Sequence, residues 1–114
     1  MNKISKENSE HYKWGDNCDG WRLVNKPEMS VILEQMPAGT SEKKHYHKKA
    51  RQFFLILKGN ASIEIEDKLY DMKEQEGMEI PPNIKHRFFN SSYRSVEFLV
   101  TSVPSTLQDR FDAG

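Results

Sequence analysis

Cysteine is nearly absent from this chain. Its 114 residues include one, Cys18, so no internal disulfide can form and the fold must rest on its core. That usage fits a reducing compartment. A surplus of charge is missing too: Lys and Arg total 17, and Asp and Glu total 17. Nothing in that balance advertises nucleic acid or a membrane surface as a partner. A local basic cluster of Lys43, Lys44, Lys48, Lys49 and Arg51 reads as a solvated loop or strand edge. No apolar run approaches the length of a membrane span, and the opening MNKISKENSEHY holds no signal-like stretch. The expectation is a soluble, cytoplasmic protein.

Helical periodicity is also lacking; no segment sustains it over three turns. There is no low-complexity linker, internal repeat or Gly-rich phosphate loop, and no serine or cysteine nucleophile arrangement. The length allows one domain, residues 1–114, with a core barrel at about 21–103 between a polar N-terminal segment and a short C-terminal tail.

What is present is a regular beat of turn signals, the spacing of an all-β sandwich or barrel. Strands are expected at 21–24, 30–36, 43–47, 52–57, 62–66, 69–72, 78–80, 86–90 and 96–101. The tail from Ser105 is expected to form a short turn or nothing. Trp14, Trp21 and Cys18 are expected to close one end of the barrel. Alternate side chains on a strand point to opposite faces. In the run Phe53-Phe54-Leu55-Ile56-Leu57, Phe54 and Ile56 therefore share a face with Gln52, while Phe53, Leu55 and Leu57 lie behind. Both faces are apolar, and no helix is available as cover. The N-terminal segment or a second subunit must supply it, and a homodimer is expected.

The chain has four histidines, and three of them, His45, His47 and His86, sit in two short motifs. His45 and His47 are two apart on an expected strand, so both rings project from one face, as neighbouring ligands of one metal ion must. Gln52 opens the next strand after a turn. His86 follows the rigid turn Pro81-Pro82-Asn83, which can bring a strand to the same cavity.

The stretch Gly39, His45-Tyr46-His47, Gln52 and Gly59 resembles the first motif of the cupin family in every spacing. The stretch Gly77 to Asn90, with Ile80-Pro81-Pro82, His86 and Asn90, resembles the second. Three positions depart from the family pattern. Gln52 stands where a glutamate ligand is usual, Asn83 stands for a glycine, and the opening glycine of the second motif falls at Gln75. The resemblance implies an all-β double-stranded β-helix, or jelly-roll barrel. It also implies a divalent metal ion on His45, His47, Gln52 and His86. Phe54, Ile56 and Phe88 share faces with these residues and are expected to line the barrel as core and pocket wall. Asn90 and Gly59 are expected to be structural.

Three neutral imidazoles and a neutral amide would leave the full charge on the ion, favouring anions and polarised carbonyl oxygens. Iron, nickel, zinc, manganese and copper all suit such donors. The resemblance implies a small-molecule ligand and activities as varied as sugar isomerases, dioxygenases, decarboxylases, lyases and sugar binders. The leading expectation is a metal-dependent enzyme that isomerises or tautomerises a small sugar- or sugar-acid-like anion. A metal-dependent dioxygenase and a non-enzymatic ligand-binding protein are the alternatives. Glu34 is a candidate general base only if the even-numbered side chains of its strand point inward.

Overall fold

The computed structural model describes all 114 residues. It contains eleven strands and no helix, so no helix is available to cross a membrane. In chain order the strands are β1 (Glu10–Trp14), β2 (Cys18–Lys26), β3 (Met29–Met36), β4 (His45–Tyr46), β5 (Arg51–Lys58) and β6 (Ala61–Ile65). They continue with β7 (Lys68–Met72), β8 (Gly77–Ile80), β9 (His86–Phe89), β10 (Val96–Val103) and β11 (Phe111–Asp112). One sheet runs β1-β2-β3-β10-β5-β8 and the other β11-β4-β9-β6-β7. Every pairing is antiparallel, and sequence-distant strands lie side by side, as in a jelly roll.

Alternation explains what lies between the sheets. On β10, Val96, Phe98 and Val100 are buried; on β5, so are Phe54 and Ile56. Met36, Ile80, Ile63, Met72 and Phe88 meet them from neighbouring strands. Phe88 stacks on Phe98 at 4.1 Å between ring centroids and on Phe54 at 5.5 Å. Each fully buried side chain of this kind contributes about 1.5–3 kcal/mol. This stack is the floor on which the histidines stand.

Two strands lie outside the expected barrel limits. β1 adds to the sheet edge by pairing with β2, because Tyr12 and Trp14 alternate inward while His11 and Lys13 reach Asp19 on the other side. The tail is not idle either. It leaves β10 through a cis Val103–Pro104 bond and returns as β11 against β4. Phe111 stacks on Tyr46 there, and the Ala113 N–H donates to the Lys44 carbonyl at 2.9 Å.

Turn chemistry accounts for the departures from the family pattern. Gln75 and Asn83 both take left-handed backbone angles, φ 68° and 69°. Asparagine tolerates that region better than most residues. The Asn83 N–H donates to the His47 carbonyl at 2.7 Å, tying the Pro-Pro-Asn turn to the first motif. Asn90 is structural, as expected: its amide donates to the Met36 and Arg94 carbonyls.

The outer face of the larger sheet stays apolar. Leu55, Leu99, Leu33 and Trp21 are register neighbours across four strands, and Phe53 beside them is 44% exposed. The N-terminal segment covers only the Trp21 end, where Lys6 lies over the indole and pairs with Glu97. Trp21 therefore belongs to this outer face rather than to a barrel end.

Candidate metal centre

The pleat turns His45 and His47 inward and Tyr46 outward. His45 is paired in register with His86 on β9. The three rings lie 4.4 to 5.7 Å apart between centroids. One ligating atom from each falls within 4.8 Å of the others, a grouping able to hold a metal ion.

Each ring has its outer nitrogen committed to the backbone. The Nδ1 atoms of His45, His47 and His86 donate to the carbonyls of Lys43, Asp109 and Ile84, at 2.8, 2.6 and 2.9 Å. A carbonyl can only accept, so the proton sits on Nδ1 and the lone pair on Nε2. Burial, reinforced by the neighbouring imidazoles, pushes His45 down to about 3 and His86 to about 4. Burial lowers His47 as well. All three are neutral at ordinary pH.

Gln52, on β5, donates from Nε2 to Ser102 Oγ at 3.1 Å and leaves Oε1 without a partner. Five buried side-chain polar atoms in the chain have none, and three of these are His47 Nε2, His86 Nε2 and Gln52 Oε1. A buried acceptor left unsatisfied costs about 1–3 kcal/mol. Three gathered at one place are the mark of a site shaped for a cation, and the nitrogen and oxygen donor set fits a divalent transition metal.

Above this cluster is a cavity of about 170 Å³. His45, His47, Gln52 and Ser102 line it, with Phe54, Phe98, Ile32 and Val100 as apolar wall. Phe54, expected as pocket lining, lies on that wall. Ile56 and Phe88, expected beside it, are 0% and 1% exposed and lie in the core below the cavity. The face of β3 with even numbers does point inward. Tyr12, Gly20, Glu34, Phe98 and Ile56 form one row across five strands. The bare Gly20 backbone leaves room for the Tyr12 ring to lie over it.

Glu34 and Glu42 both border the cavity. Burial, helped by the charge of Glu42, pushes Glu34 up to about 8. Burial pushes Glu42 to about 7, although its carboxylate accepts the Phe88 N–H at 2.9 Å. Glu42 also approaches His45 Nδ1 at 3.9 Å, a contact with a neutral ring rather than an ion pair.

Sequence reasoning missed Glu42, Tyr12, Thr106 and Arg110, all of which line the cavity, and Asp109 beneath them. Asp109 is buried, and its carboxylate accepts three backbone N–H groups, from Lys48, Lys49 and Ala50, at 2.9 to 3.0 Å. That loop connects His47 to Gln52. One aspartate in the tail therefore fixes the loop between two candidate ligands and, through its own carbonyl, the ring of one of them.

A family model described as "Cupin domain" matches residues 32–102, more than half the chain. The polyketide synthase CurC of Streptomyces cyaneus is 26% identical over 58 residues. That match covers 51% of this chain and 38% of CurC, well under half of that protein's length. Among solved structures, a sugar phosphate isomerase from Silicibacter pomeroyi superposes with a TM-score of 0.78 at 18% identity. It covers 91% of this chain and 76% of its own. The nucleoside dehydratase Pac13, from Streptomyces, superposes with a TM-score of 0.81 at 18% identity, over 99% of this chain and 91% of its own. At such identities the structural likeness speaks for the fold alone.

Proposed function

Given that the chain belongs to the cupin domain family, we propose that it is a metal-dependent enzyme moving a proton on a small, oxygen-rich anion. Isomerisation or tautomerisation of a sugar- or sugar-acid-like compound is the reaction class. One observation carries this reading: a single cavity joins two of the three unsatisfied buried acceptors, on His47 and Gln52, to a carboxyl group raised towards neutrality at its wall. The Nε2 atoms of His45, His47 and His86, with Gln52 Oε1, are the proposed holders of one divalent ion. Such an ion supplies Lewis-acid polarisation of a substrate oxygen and lowers the pKa values of the carboxyl groups around it.

The chain's own groups do the rest. Glu34 removes the proton from the carbon beside the polarised carbonyl and returns it to the neighbouring atom, so no proton is gained or lost overall. A carboxyl group raised towards neutrality is suited to both halves of that transfer. Phe54, Phe98, Ile32 and Val100 keep water from the reacting carbon. The names of two similarly folded proteins, a sugar phosphate isomerase and a nucleoside dehydratase, also describe reactions on small oxygenated molecules.

Metal analysis on protein purified without an affinity tag, followed by NMR in deuterium oxide with a panel of hydroxy-keto acids and aldoses, tests this. The expected result is one equivalent of metal per chain, lost in His45→Ala and in His86→Ala, and exchange of one carbon-bound proton in at least one compound. Unchanged metal content in both variants, or no exchange across the panel, would sink the reading. Substrate-dependent oxygen uptake in place of exchange would point to a dioxygenase.

The active form we propose is a homodimer packed through the outer face that carries Phe53, Leu55, Leu99 and Leu33, since no segment of the chain covers it. Light scattering at micromolar concentration should give twice the 13.3 kDa chain mass, and Phe53→Glu should return the monomer. A monomer mass for the unaltered protein counts against it.

A further inference from the structure

Arg22, Arg51 and Arg87 each pair with a glutamate, Glu10, Glu79 and Glu64. Arg110 pairs with nothing in the chain, although it lines the same cavity as the three candidate ligands His45, His47 and Gln52. Its backbone is held on both sides. Asp109 before it is pinned by three N–H donors, and Phe111 after it is paired with Tyr46. The tail thus fixes the backbone that carries a guanidinium without a partner on the cavity lining.

We infer that Arg110 is the residue that selects the substrate by charge. It binds a terminal carboxylate or phosphate of a small molecule whose other oxygen end lies on the histidines and Gln52. This rests on the proposed metal centre and narrows its substrate to compounds with an anionic group at the end away from the reacting carbon.

Three features carry the inference. The first is the shape of the donor. A guanidinium offers a planar fork of N–H groups that matches two oxygens of one anion, and here no side chain competes for it. The second is the surrounding charge. The carboxyl groups that line the same cavity are Glu34 and Glu42, and neither forms an ion pair with Arg110. Arg110 shares the cavity lining with both of them and with His45 and His47, so its charge bears on whatever is bound there. The third is size. A cavity of about 170 Å³ that opens to solvent admits a small molecule of the di-acid class.

The test uses Arg110→Gln and Arg110→Lys, titrated by calorimetry with malonate, which has two anionic ends, and with acetate, which has one. Arg110 is exposed and bonds to no other side chain, so both variants should fold and keep the metal content of the unaltered protein. In the unaltered protein malonate should bind at least tenfold more tightly than acetate. Arg110→Gln should weaken malonate by about tenfold or more and erase the preference, while Arg110→Lys retains part of it. Rising salt should weaken malonate binding to the unaltered protein more than to Arg110→Gln. Equal malonate affinity in the unaltered protein and Arg110→Gln would overturn the inference, as would the absence of any malonate preference in the unaltered protein. Malonate is titrated into metal-free protein as well, where Arg110→Gln should again weaken it. A failure of the metal centre and a failure of Arg110 therefore give different results.

Discussion

Turnover in Glu34→Gln should fall by roughly 10²–10⁴-fold, the usual worth of a positioned general acid–base. Metal content should stay at that of the unaltered protein, and KM should move little, since the amide keeps the shape of the carboxyl and loses only its proton chemistry. The pH dependence gives a second readout. In the unaltered protein, activity should climb as Glu34 ionises, below its metal-free value of about 8 when a dication sits beside it. That limb should vanish in the variant.

Stability of the metal-free proteins supplies a check of opposite sign. The folded state raises the pKa of Glu34, so its contribution is fully present below the ordinary carboxyl range and is lost as pH rises through about 8. Above that pH the unaltered protein must bury a charge that the variant lacks, so the variant should melt at the higher temperature. Equal turnover in the two proteins, with no change in the rate–pH profile, would remove Glu34 from the mechanism.

Gln52→Glu should move two affinities in opposite directions. The change is nearly isosteric, and Ser102 Oγ can donate to a carboxylate as readily as it accepts from the amide. The barrel should therefore be undisturbed. Metal affinity should rise, because a carboxylate is the stronger ligand for a dication. Small carboxylates should then bind the metal-saturated variant more weakly, because the centre is less positive. One unit charge a few ångströms away is worth on the order of 1–4 kcal/mol at intermediate dielectric. A folding defect would lower both affinities together. Weaker metal binding, or stronger carboxylate binding, would show that Gln52 is not the neutral fourth donor.

The histidine cluster was legible in the sequence because its logic is local. Two rings spaced by two on a strand share a face, and a Pro-Pro-Asn turn aims the third. Which faces the core residues share was legible for the same reason, but their depth was not. Ile56 and Phe88 point the same way as Gln52 and His86, yet they sit a layer lower: Phe88 stacks behind Phe54 and Phe98, which line the cavity, and Ile56 is the register neighbour of Phe98. Glu34 depended on the parity of β3, which the sequence left open and the register with Phe98 decides. Arg110, Asp109 and Tyr12 could not be read at all. Arg110 and Asp109 are placed by pairing between distant segments, Phe111 on Tyr46, and a two-residue strand such as β11 carries no periodicity to announce itself; Tyr12 is placed by β1, which pairs locally with β2 in a segment read as polar and outside the barrel.

The hydrogen bond from His47 to the Asp109 carbonyl joins positions 62 residues apart, and His86 reaches the cluster only when β9 closes against β4. A nascent or partly folded chain therefore offers an incoming ion little more than the His45–His47 pair, and two neighbouring imidazoles hold any ion loosely. The full set of donors exists only after the long loops have closed, a step that topologies rich in distant pairings reach late. On the proposed metal reading, an ion captured early would still be exchangeable, and the choice among competing metals would fall to the finished barrel, where cavity size and the neutral amide of Gln52 would do the sorting.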